Sequence, residues 1–439
     1  MASATRPTPD AAVPEITFAE FRRRAGIDGR HVPIEGTIET TFRCNLNCVH
    51  CYVNEPAGSR EAASREMSLP RLKRLVDEIV AEGCLFVLFT GGEILVRPDF
   101  AEIYLYARSR GLLVVVFTNG TLVTDRIADL FAEHTPERVE ITLYGMTKET
   151  YERVTRVPGS YEKCLAGIRR LVERGIPLTL KTMALSWNQD EVAAMEAYAR
   201  GLGLDFRFDS SLNPRVDCGA NRNAELQISP ERAVQLDLGS PGKLEELRAF
   251  CERFTQPDVV RDTEHVYTCG AGETSFTVDP YGRLQMCQLS RRSFHDLNAG
   301  TFAEGWHELF PRLRQRTWQK NETCRRCSLL ALCGSCPGAA EMETGDPEAI
   351  IPAFCELTHL RAHAAMGERS GHRRDASCCL GEGRLASRPE DEIAARLSGG
   401  CGSCGHGAPA AEGPGRDGET PVPERLIRLE RRRPAVPGR

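Results

Sequence analysis

Three cysteines lie close together near the start of the chain, in the segment Cys44-Asn-Leu-Asn-Cys48-Val-His-Cys51. Thiolates are soft ligands that suit zinc and iron–sulfur clusters. Three thiolates in one short loop can hold three corners of a [4Fe–4S] cube and leave the fourth iron open to another ligand. A structural zinc site usually draws on two separated pairs of ligands. The spacing therefore favours the open cluster over a zinc site completed by His50 or a cysteine-rich loop without metal.

A second motif, Thr90-Gly91-Gly92-Glu93, follows the second predicted strand. Adjacent glycines let a backbone approach a ligand closely, and the Glu93 carboxylate can accept a hydrogen bond from an ammonium group. Taken alone, the motif is more simply an ordinary turn at the end of a strand. Its combination with the cysteine motif makes ligand binding the stronger interpretation.

Seven further cysteines form a second group later in the chain. Their spacing is Cys269-x12-Gly282-x4-Cys287, then Cys324-x2-Cys327-x5-Cys333-x2-Cys336, and finally Cys355. Paired Cys-x2-Cys knuckles suit either zinc or iron–sulfur clusters. Seven thiols complete one four-ligand site and leave a second site one protein ligand short. A zinc ribbon built from the two knuckles alone would leave three of these cysteines unexplained.

Alternating strands and helices must position these motifs. The hydrophobic pattern predicts six strands, at Ile34–Thr41, Leu85–Phe89, Leu112–Thr118, Arg138–Tyr144, Pro177–Met183 and Leu204–Phe208. Strands that alternate with helices predict an α/β fold with a parallel sheet or open barrel and right-handed crossovers. Ligands of such sheets sit at the carboxyl ends of the strands, and both early motifs fall on loops of this kind.

The sequence also predicts where the helices begin and end. They are predicted at Phe18–Arg24, Ser68–Glu82, Pro98–Arg110, Asp125–Glu133, Ser160–Arg174, Asn188–Arg200 and near Leu244–Arg253. Ser68 is expected to cap its helix and Gly83 to follow its end. Asn188 and Glu191 fit a capping box.

Composition excludes several classes of protein. The 439 residues include 56 Lys and Arg and 61 Asp and Glu, and the net charge of −5 gives no electrostatic case for a nucleic-acid partner. The richest apolar run, Leu112–Phe117, is too short to span a membrane, and the first residues lack the apolar core of a signal peptide. We therefore expect a cytoplasmic protein without a membrane partner, whose clustered cysteines are metal ligands rather than disulfides.

The chain divides into five parts by pattern and composition. We expect an N-terminal arm (1–32), the barrel (33–210), a bridge (211–265), a cysteine-rich domain (266–365) and a tail (366–439). The tail is rich in Gly, Pro, Arg, Ser and Glu, which predicts that most of it is disordered.

Cysteines outside the two groups have simpler expected roles. In the tail they are Cys378, Cys379, Cys401 and Cys404. Metal binding, redox exchange and likeness to a fused substrate peptide remain open for them, although incidental cysteines in a disordered extension are favoured. Cys84, Cys164, Cys218 and Cys251 are expected to be small buried hydrophobic residues.

The two early motifs resemble those of the radical S-adenosylmethionine (SAM) enzymes. That family carries C-x3-C-x2-C after strand one and G-G-E after strand two of a partial (β/α)6 barrel. The resemblance implies that Cys44, Cys48 and Cys51 ligate a [4Fe–4S] cluster whose open iron is chelated by SAM. Reductive cleavage of SAM would then give a 5′-deoxyadenosyl radical, which takes a hydrogen atom from an unactivated C–H bond.

The same resemblance implies a set of SAM contacts. Gly91, Gly92 and Glu93 would contact the methionyl amine, and Tyr52 would lie near the adenine. Weaker candidates stand at the ends of strands three to five, where an ordinary strand or turn residue is an equally good explanation: Asn119, Thr142 and Lys181.

The later cysteines resemble the SPASM domain, which extends radical SAM enzymes that mature peptides and proteins. The resemblance implies two auxiliary [4Fe–4S] clusters, one on Cys324, Cys327, Cys333 and Cys355, the other with three corners on Cys269, Cys287 and Cys336. The last knuckle has two intervening residues where the family has three, so Cys336 departs from the pattern. Gln288 stands where the sulfatase-maturing branch has an Asp base, which disfavours formylglycine formation.

The sequence thus predicts a radical SAM enzyme with three clusters, a peptide or protein substrate and a flavodoxin- or ferredoxin-type electron donor. Hydrogen abstraction followed by cross-linking is the expected reaction, and an exposed sheet edge could pair with the peptide. The alternative is a small substrate, such as a porphyrin- or quinone-type cofactor precursor. A non-catalytic iron–sulfur or zinc scaffold is disfavoured by the G-G-E motif and the six-strand barrel.

Overall fold

The computed structural model describes residues 18–27, 29–53, 55–216, 223–240, 242–255, 264–334 and 336–380. The expectations for residues 1–17, for Cys218 and for the tail from residue 381, with Cys401 and Cys404, lie outside this part of the chain. Within the described residues, no helix combines the length and the apolarity that crossing a membrane requires.

A parallel sheet forms the centre of the fold. Its strands pair in chain order, each parallel to the next: β1 (Glu35–Thr41), β2 (Phe86–Gly91), β3 (Leu113–Thr118), β4 (Arg138–Thr142), β5 (Leu178–Met183) and β6 (Asp205–Asp209). The six predicted strands are confirmed, with small shifts at their ends. Because all carboxyl ends point the same way, the loops that carry the early motifs meet at one edge of the sheet.

Helices connect these strands and share an apolar core with one face of the sheet. In helix α3 (Leu69–Ala81), Leu72, Leu75 and Ile79 are almost wholly buried, because helical spacing places them on one side. The other helices of this half are α1 (Phe18–Arg24), α2 (Arg60–Arg65), α4 (Phe100–Ser109), α5 (Asp125–Glu133), α6 (Lys148–Thr155), α7 (Ser160–Glu173) and α8 (Val192–Gly201). The sequence analysis did not predict α2 and α6.

The start of α8 differs from the prediction. The helix begins at Val192 rather than Asn188. The Asn188 amide donates to the Tyr144 carbonyl at 3.0 Å, and the Glu191 carboxylate accepts from the Thr147 backbone N–H at 3.0 Å. The two expected capping residues therefore hold the loop that follows β4, because tertiary hydrogen bonds replace the local ones.

Three later strands extend the sheet beyond β1. Strand β7 (Ser275–Val278) pairs parallel to β1, and β8 (Arg283–Gln285) and β9 (His295–Asp296) follow it in antiparallel pairs. The β1 side of the barrel is therefore not an exposed edge, since the chain's own β7 satisfies the backbone groups there. Strand β6 forms the opposite end of the sheet.

Nine further α-helices lie in the described residues after β6. They are α9 (Asn223–Leu226), α10 (Pro230–Gly239), α11 (Lys243–Thr255), α12 (Phe302–Glu304), α13 (Phe310–Arg314), α14 (Glu322–Arg326), α15 (Pro337–Thr344), α16 (Pro352–Met366) and α17 (Ser377–Leu380). The bridge thus holds more than the one predicted helix. Arg361 of α16 binds Asp237 of α10 at 2.8 Å, which joins the bridge to the cysteine-rich region.

The boundary of the tail also needs correction. Residues 367–380 form a short 3₁₀ turn, Gly367–Ser370, and helix α17. Ala376 is wholly buried, and Ser370, Ser377 and Leu380 are largely buried. The ordered fold therefore continues past residue 366, because packing against α16 outweighs a composition poor in apolar residues.

Candidate functional site

The first cysteine loop begins as soon as β1 ends. Cys48 is buried, and Cys44 and Cys51 are half-buried. Burial, with added contributions from Glu93 and Cys51, raises the pKa of Cys44 to about 12. Burial and the two neighbouring thiols raise the pKa of Cys48 as well. The Cys44 and Cys48 thiols therefore stay protonated until a cation compensates their charge. Together with Cys51 they form a donor set that fits one side of an iron–sulfur cluster.

The two glycines of the second motif let its loop pack directly on the cysteine loop. A Cβ atom at Gly91 would lie 2.1 Å from the Thr41 carbonyl oxygen, and one at Gly92 would lie 2.4 Å from the Arg43 carbonyl oxygen. Gly91 also has a φ of 129°, which favours glycine. The close approach that the sequence predicted is therefore to the protein's own backbone.

Glu93 ties two strand-end loops together. Its carboxylate is wholly buried and accepts from the backbone N–H of Leu95 at 3.1 Å, the Thr118 hydroxyl at 2.7 Å and the Asn119 N–H at 2.7 Å. Burial raises the pKa of Glu93 above its ordinary value, and these three donors oppose the rise. These hydrogen bonds fasten the loop after β2 to the loop after β3, so Glu93 positions Asn119.

Asn119 reaches from the third strand end to the cysteine loop. Its side-chain amide donates to Asn45 at 2.9 Å and lies 3.8 Å from the Cys44 sulfur. The side-chain oxygen of Asn119, Oδ1, accepts from the backbone N–H of Thr121 at 2.9 Å. The structure thus brings Asn119, Glu93 and the cysteine loop into one hydrogen-bonded unit.

We expect Glu93→Ala to lower the free energy of unfolding by about 1–3 kcal/mol, because buried donors lose their acceptor. The loosened Asn119 loop should also lower SAM affinity about ten- to a hundred-fold. Equilibrium dialysis of cluster-loaded protein and thermal unfolding measure the two effects. Glu102→Ala, at an exposed glutamate of α4, is the control. Unchanged SAM affinity in a destabilised Glu93→Ala protein would restrict Glu93 to folding.

Tyr52 connects the cysteine loop with the later part of the chain. Its hydroxyl donates to the Glu39 carboxylate at 3.3 Å and accepts from the Gln288 amide. Gln288 also donates to Glu39 at 2.9 Å. The Arg291 guanidinium donates to both oxygens of Glu39, at 2.9 and 3.0 Å. Gln288 therefore acts here as a neutral amide that joins the barrel to the cysteine-rich region.

A second charged group lies across the sheet from Glu39, on strands β4 to β6. Glu140 of β4 accepts from Lys181 of β5 at 3.2 Å and from Arg207 of β6 at 2.5 Å. The Lys181 ammonium also lies 2.9 Å from the Phe117 ring centre. Burial lowers the pKa of Lys181 to about 7, although Glu140 opposes this. Thr142 is half-buried and opposite Lys181 in the strand register.

Sequence reasoning found Lys181 but missed the charged residues around it and around Tyr52. Glu39, Glu140 and Arg207 alternate along their strands with core residues such as Ile38 and Ile141. Side chains alternate across a strand, so charges at every second position would have marked the inner face of a barrel. Arg291 carried no comparable local signal, because its partner Glu39 is 252 residues away.

Three of the later cysteines lie together near β8, namely Cys269, Cys287 and Cys336. Burial raises the pKa of Cys287 to about 11, with smaller contributions from the other two thiols. The Cys336 sulfur stands at the start of α15 and accepts from the Ala339 N–H at 3.3 Å. A helix N-terminus favours a thiolate, so Cys336 suits metal binding despite its shortened knuckle.

The other four later cysteines line a single cavity, and Cys379 from the following segment lines it too. The four are Cys324, Cys327, Cys333 and Cys355. Burial raises the pKa of Cys324 to about 11 and that of Cys355 to about 12. The zinc-ribbon alternative does not describe this arrangement, because Cys336 lies with the other set. Among the described cysteines outside both sets, Cys84, Cys164 and Cys251 are buried, as the sequence predicted.

Comparison with known proteins agrees with these motifs. Residues 38–199 match the sequence model of the Radical SAM superfamily. The AdoMet-dependent heme synthase of Methanosarcina barkeri is 28% identical over 330 residues, which cover 70% of this chain and 92% of that protein. The PqqA peptide cyclase of Ruegeria pomeroyi is 28% identical over 329 residues, with 73% and 86% covered.

The fold is similar to solved structures over most of its length. The crystal structure of Streptococcus suis SuiB bound to the precursor peptide SuiA has a TM-score of 0.58 at 14% identity and covers 75% of this chain and 79% of that one. The similarity shows a shared fold. The family match contains the first cysteine loop, the G-G-E motif and Asn119, and a cysteine-rich region follows it. Residues 38–199 therefore form a radical SAM domain, and the protein is an enzyme that binds a [4Fe–4S] cluster and S-adenosylmethionine.

Proposed function

We propose that this enzyme modifies a peptide by hydrogen abstraction followed by cross-linking. When bound, the SAM cluster with SAM supplies a 5′-deoxyadenosyl radical, and an auxiliary cluster supplies an acceptor for one electron. Each cross-link removes two hydrogens from the peptide. One leaves as an atom to the radical, and the other leaves as a proton whose electron goes to the acceptor.

The contact between Tyr52 and Gln288 carries this proposal. Tyr52 directly follows Cys51, and Gln288 directly follows Cys287. One hydrogen bond therefore joins the first cysteine loop to the segment of Cys287, which belongs to the later cysteines near β8. A substrate at this edge of the barrel can therefore reach the radical site and a second redox site. An extended peptide chain suits such a span.

The comparisons support a peptide substrate. One relative is named a peptide cyclase, and SuiB shares this fold over most of its chain and was solved with a precursor peptide. Both similarities extend beyond the barrel into the cysteine-rich region, since they cover at least 73% of the chain.

We propose residue roles that follow from the same geometry. The SAM cluster is held by Cys44, Cys48 and Cys51, and the auxiliary clusters by the two later cysteine sets. The SAM pocket is formed at the strand ends by Tyr52, Gly91, Gly92, Glu93, Asn119, Thr142 and Lys181. A flavodoxin- or ferredoxin-type protein donates the electron for SAM cleavage, and the enzyme works in the cytoplasm.

A second candidate is a radical SAM enzyme that acts on a porphyrin-type precursor. The observation that favours it is the similarity to an AdoMet-dependent heme synthase, which extends over 92% of that protein. The two candidates predict different products from the same radical.

Anaerobic reaction with SAM, a reductant and peptides encoded by neighbouring genes tests the proposal. We expect the mass of one peptide to fall in steps of about 2 Da for each cross-link, because two hydrogens leave. The Cys44/Cys48/Cys51→Ala protein should leave the same peptide unchanged. SAM turnover that depends on a porphyrin-type precursor, with every peptide unchanged in mass, would favour the second candidate instead.

A further inference from the structure

Two histidines and two cysteines converge at a place that none of the sites above uses. They are His359 on α16, and His372, Cys378 and Cys379 in the segment that follows it. One ligand atom from each lies within 4.8 Å of all the others. In the described part of the chain, this is the only group of three or more His, Cys, Asp or Glu side chains with that property.

Three of these atoms already have the separations of ligands on one ion. His372 Nδ1 lies 3.5 Å from Cys378 Sγ and 3.9 Å from Cys379 Sγ, and the two sulfurs are 3.9 Å apart. Tetrahedral zinc, with ordinary bond lengths, separates two sulfurs by about 3.8 Å and a sulfur from a nitrogen by about 3.6 Å. Both cysteines are free thiols.

The hydrogen bonds around His372 prepare it as a ligand. Its Nε2 lies 2.8 Å from the Ser328 hydroxyl, which can accept the ring proton and leave the Nδ1 lone pair free. His363 donates through Nε2 to the His372 carbonyl and holds its backbone. Metal-binding histidines usually have an outer partner of this kind, which fixes the tautomer and the ring orientation.

His359 stands where a fourth ligand is needed. Its Nδ1 lies 3.9 Å from Cys378 Sγ, and the ring is perpendicular to that of His372. This nitrogen now donates to the Arg373 carbonyl at 2.7 Å, a hydrogen bond that coordination would replace. The other ring nitrogen is buried without a hydrogen-bond partner, so the present contacts leave the ring only half satisfied.

The group also borders the cavity that Cys324, Cys327, Cys333 and Cys355 line. His359 and Cys379 line that cavity together with four other cysteines. A cluster bound there would be held by thiolates, and two more thiolates beside it would need a compensating positive charge. A divalent cation on the four side chains provides that charge.

We propose that His359, His372, Cys378 and Cys379 bind one zinc ion, which fastens residues 367–380 to α16 beside the auxiliary cluster. Zinc is the metal that two cysteines and two histidines in tetrahedral arrangement suit best. The site is structural and does not depend on the identity of the substrate.

X-ray absorption at the zinc edge tests the proposal on the full chain, reconstituted anaerobically with iron and sulfide and supplied with zinc. Iron does not interfere at this edge. We expect one tightly held zinc per chain, with two sulfurs at about 2.3 Å and two nitrogens at about 2.0–2.1 Å. A protein that retains no zinc, or a zinc shell made of oxygen ligands, would overturn the proposal without any variant.

Two variants separate this site from the clusters. Cys378→Ser/Cys379→Ser should lower zinc affinity by about a hundredfold or more while iron content stays unchanged. Cys401→Ser/Cys404→Ser, which also removes two cysteines, should keep the zinc. Ser328→Ala, a mild change, should weaken zinc binding about tenfold through the outer hydrogen bond. Loss of iron with zinc retained in the first variant would instead make Cys379 a cluster ligand and would refute the zinc site.

Discussion

Replacement of Cys44, Cys48 and Cys51 together by alanine is expected to abolish SAM cleavage and to leave the iron of the later cysteine sets in place. The three thiols are grouped after the end of β1, where Cys51 raises the pKa of both Cys44 and Cys48. The later sets occupy separate places near β8 and beside α16. The loss of activity should therefore be complete, because no other described thiol replaces the first set.

Chromatographic assay of 5′-deoxyadenosine, together with iron analysis, measures this result. The matched control is Cys324/Cys327/Cys333→Ala, which removes three thiols from the cavity beside α16. It should lose a comparable amount of iron and still produce 5′-deoxyadenosine. Formation of 5′-deoxyadenosine by the first variant under a strong reductant would show that the SAM cluster is held elsewhere.

The parallel sheet and its helices could be predicted because their signals are local. Strand β3 is a nearly continuous apolar run, and helix α5 has the predicted bounds, since Thr124 caps it by accepting from the Ile127 N–H. Residues that bind through a distant partner gave no such signal. The pairing of β7 with β1 joins Ser275–Val278 to a strand far earlier in the chain, so the sheet edge could not be read from either segment.

The motifs indicated where the candidate site lies, but they did not indicate which contacts hold it together. The spacing placed the G-G-E loop correctly, yet the need for glycine at Gly91 arises from the Thr41 carbonyl of a neighbouring strand. Composition likewise placed residues 367–380 in a disordered tail. Their order depends on the packing of Ala376 and on contacts such as that between Ser328 and His372, which composition does not record.

Replacement of Arg291 by methionine is expected to lower the free energy of unfolding by about 3–5 kcal/mol, because it leaves the Glu39 carboxylate buried without its cation. The Arg291 and Glu39 side chains are 8% and 0% exposed, and the guanidinium binds both carboxylate oxygens. The pair also joins the loop after β8 to strand β1, so its loss should loosen the cysteine-rich region from the barrel. Anaerobic urea unfolding followed by tryptophan fluorescence measures the change.

A double variant separates the buried charge from the lost side chain. Glu39→Gln/Arg291→Met should regain most of the stability, because the neutral amide no longer needs a cation and can still bind Tyr52 and Gln288. Arg292→Met, at the exposed neighbour, should stay within about 0.5 kcal/mol of the wild type. Equal effects of Arg291→Met and Arg292→Met would mean that the ion pair does not join the two regions. If the double variant is as unstable as Arg291→Met, the lost stability comes from packing of the arginine stem and not from the buried charge.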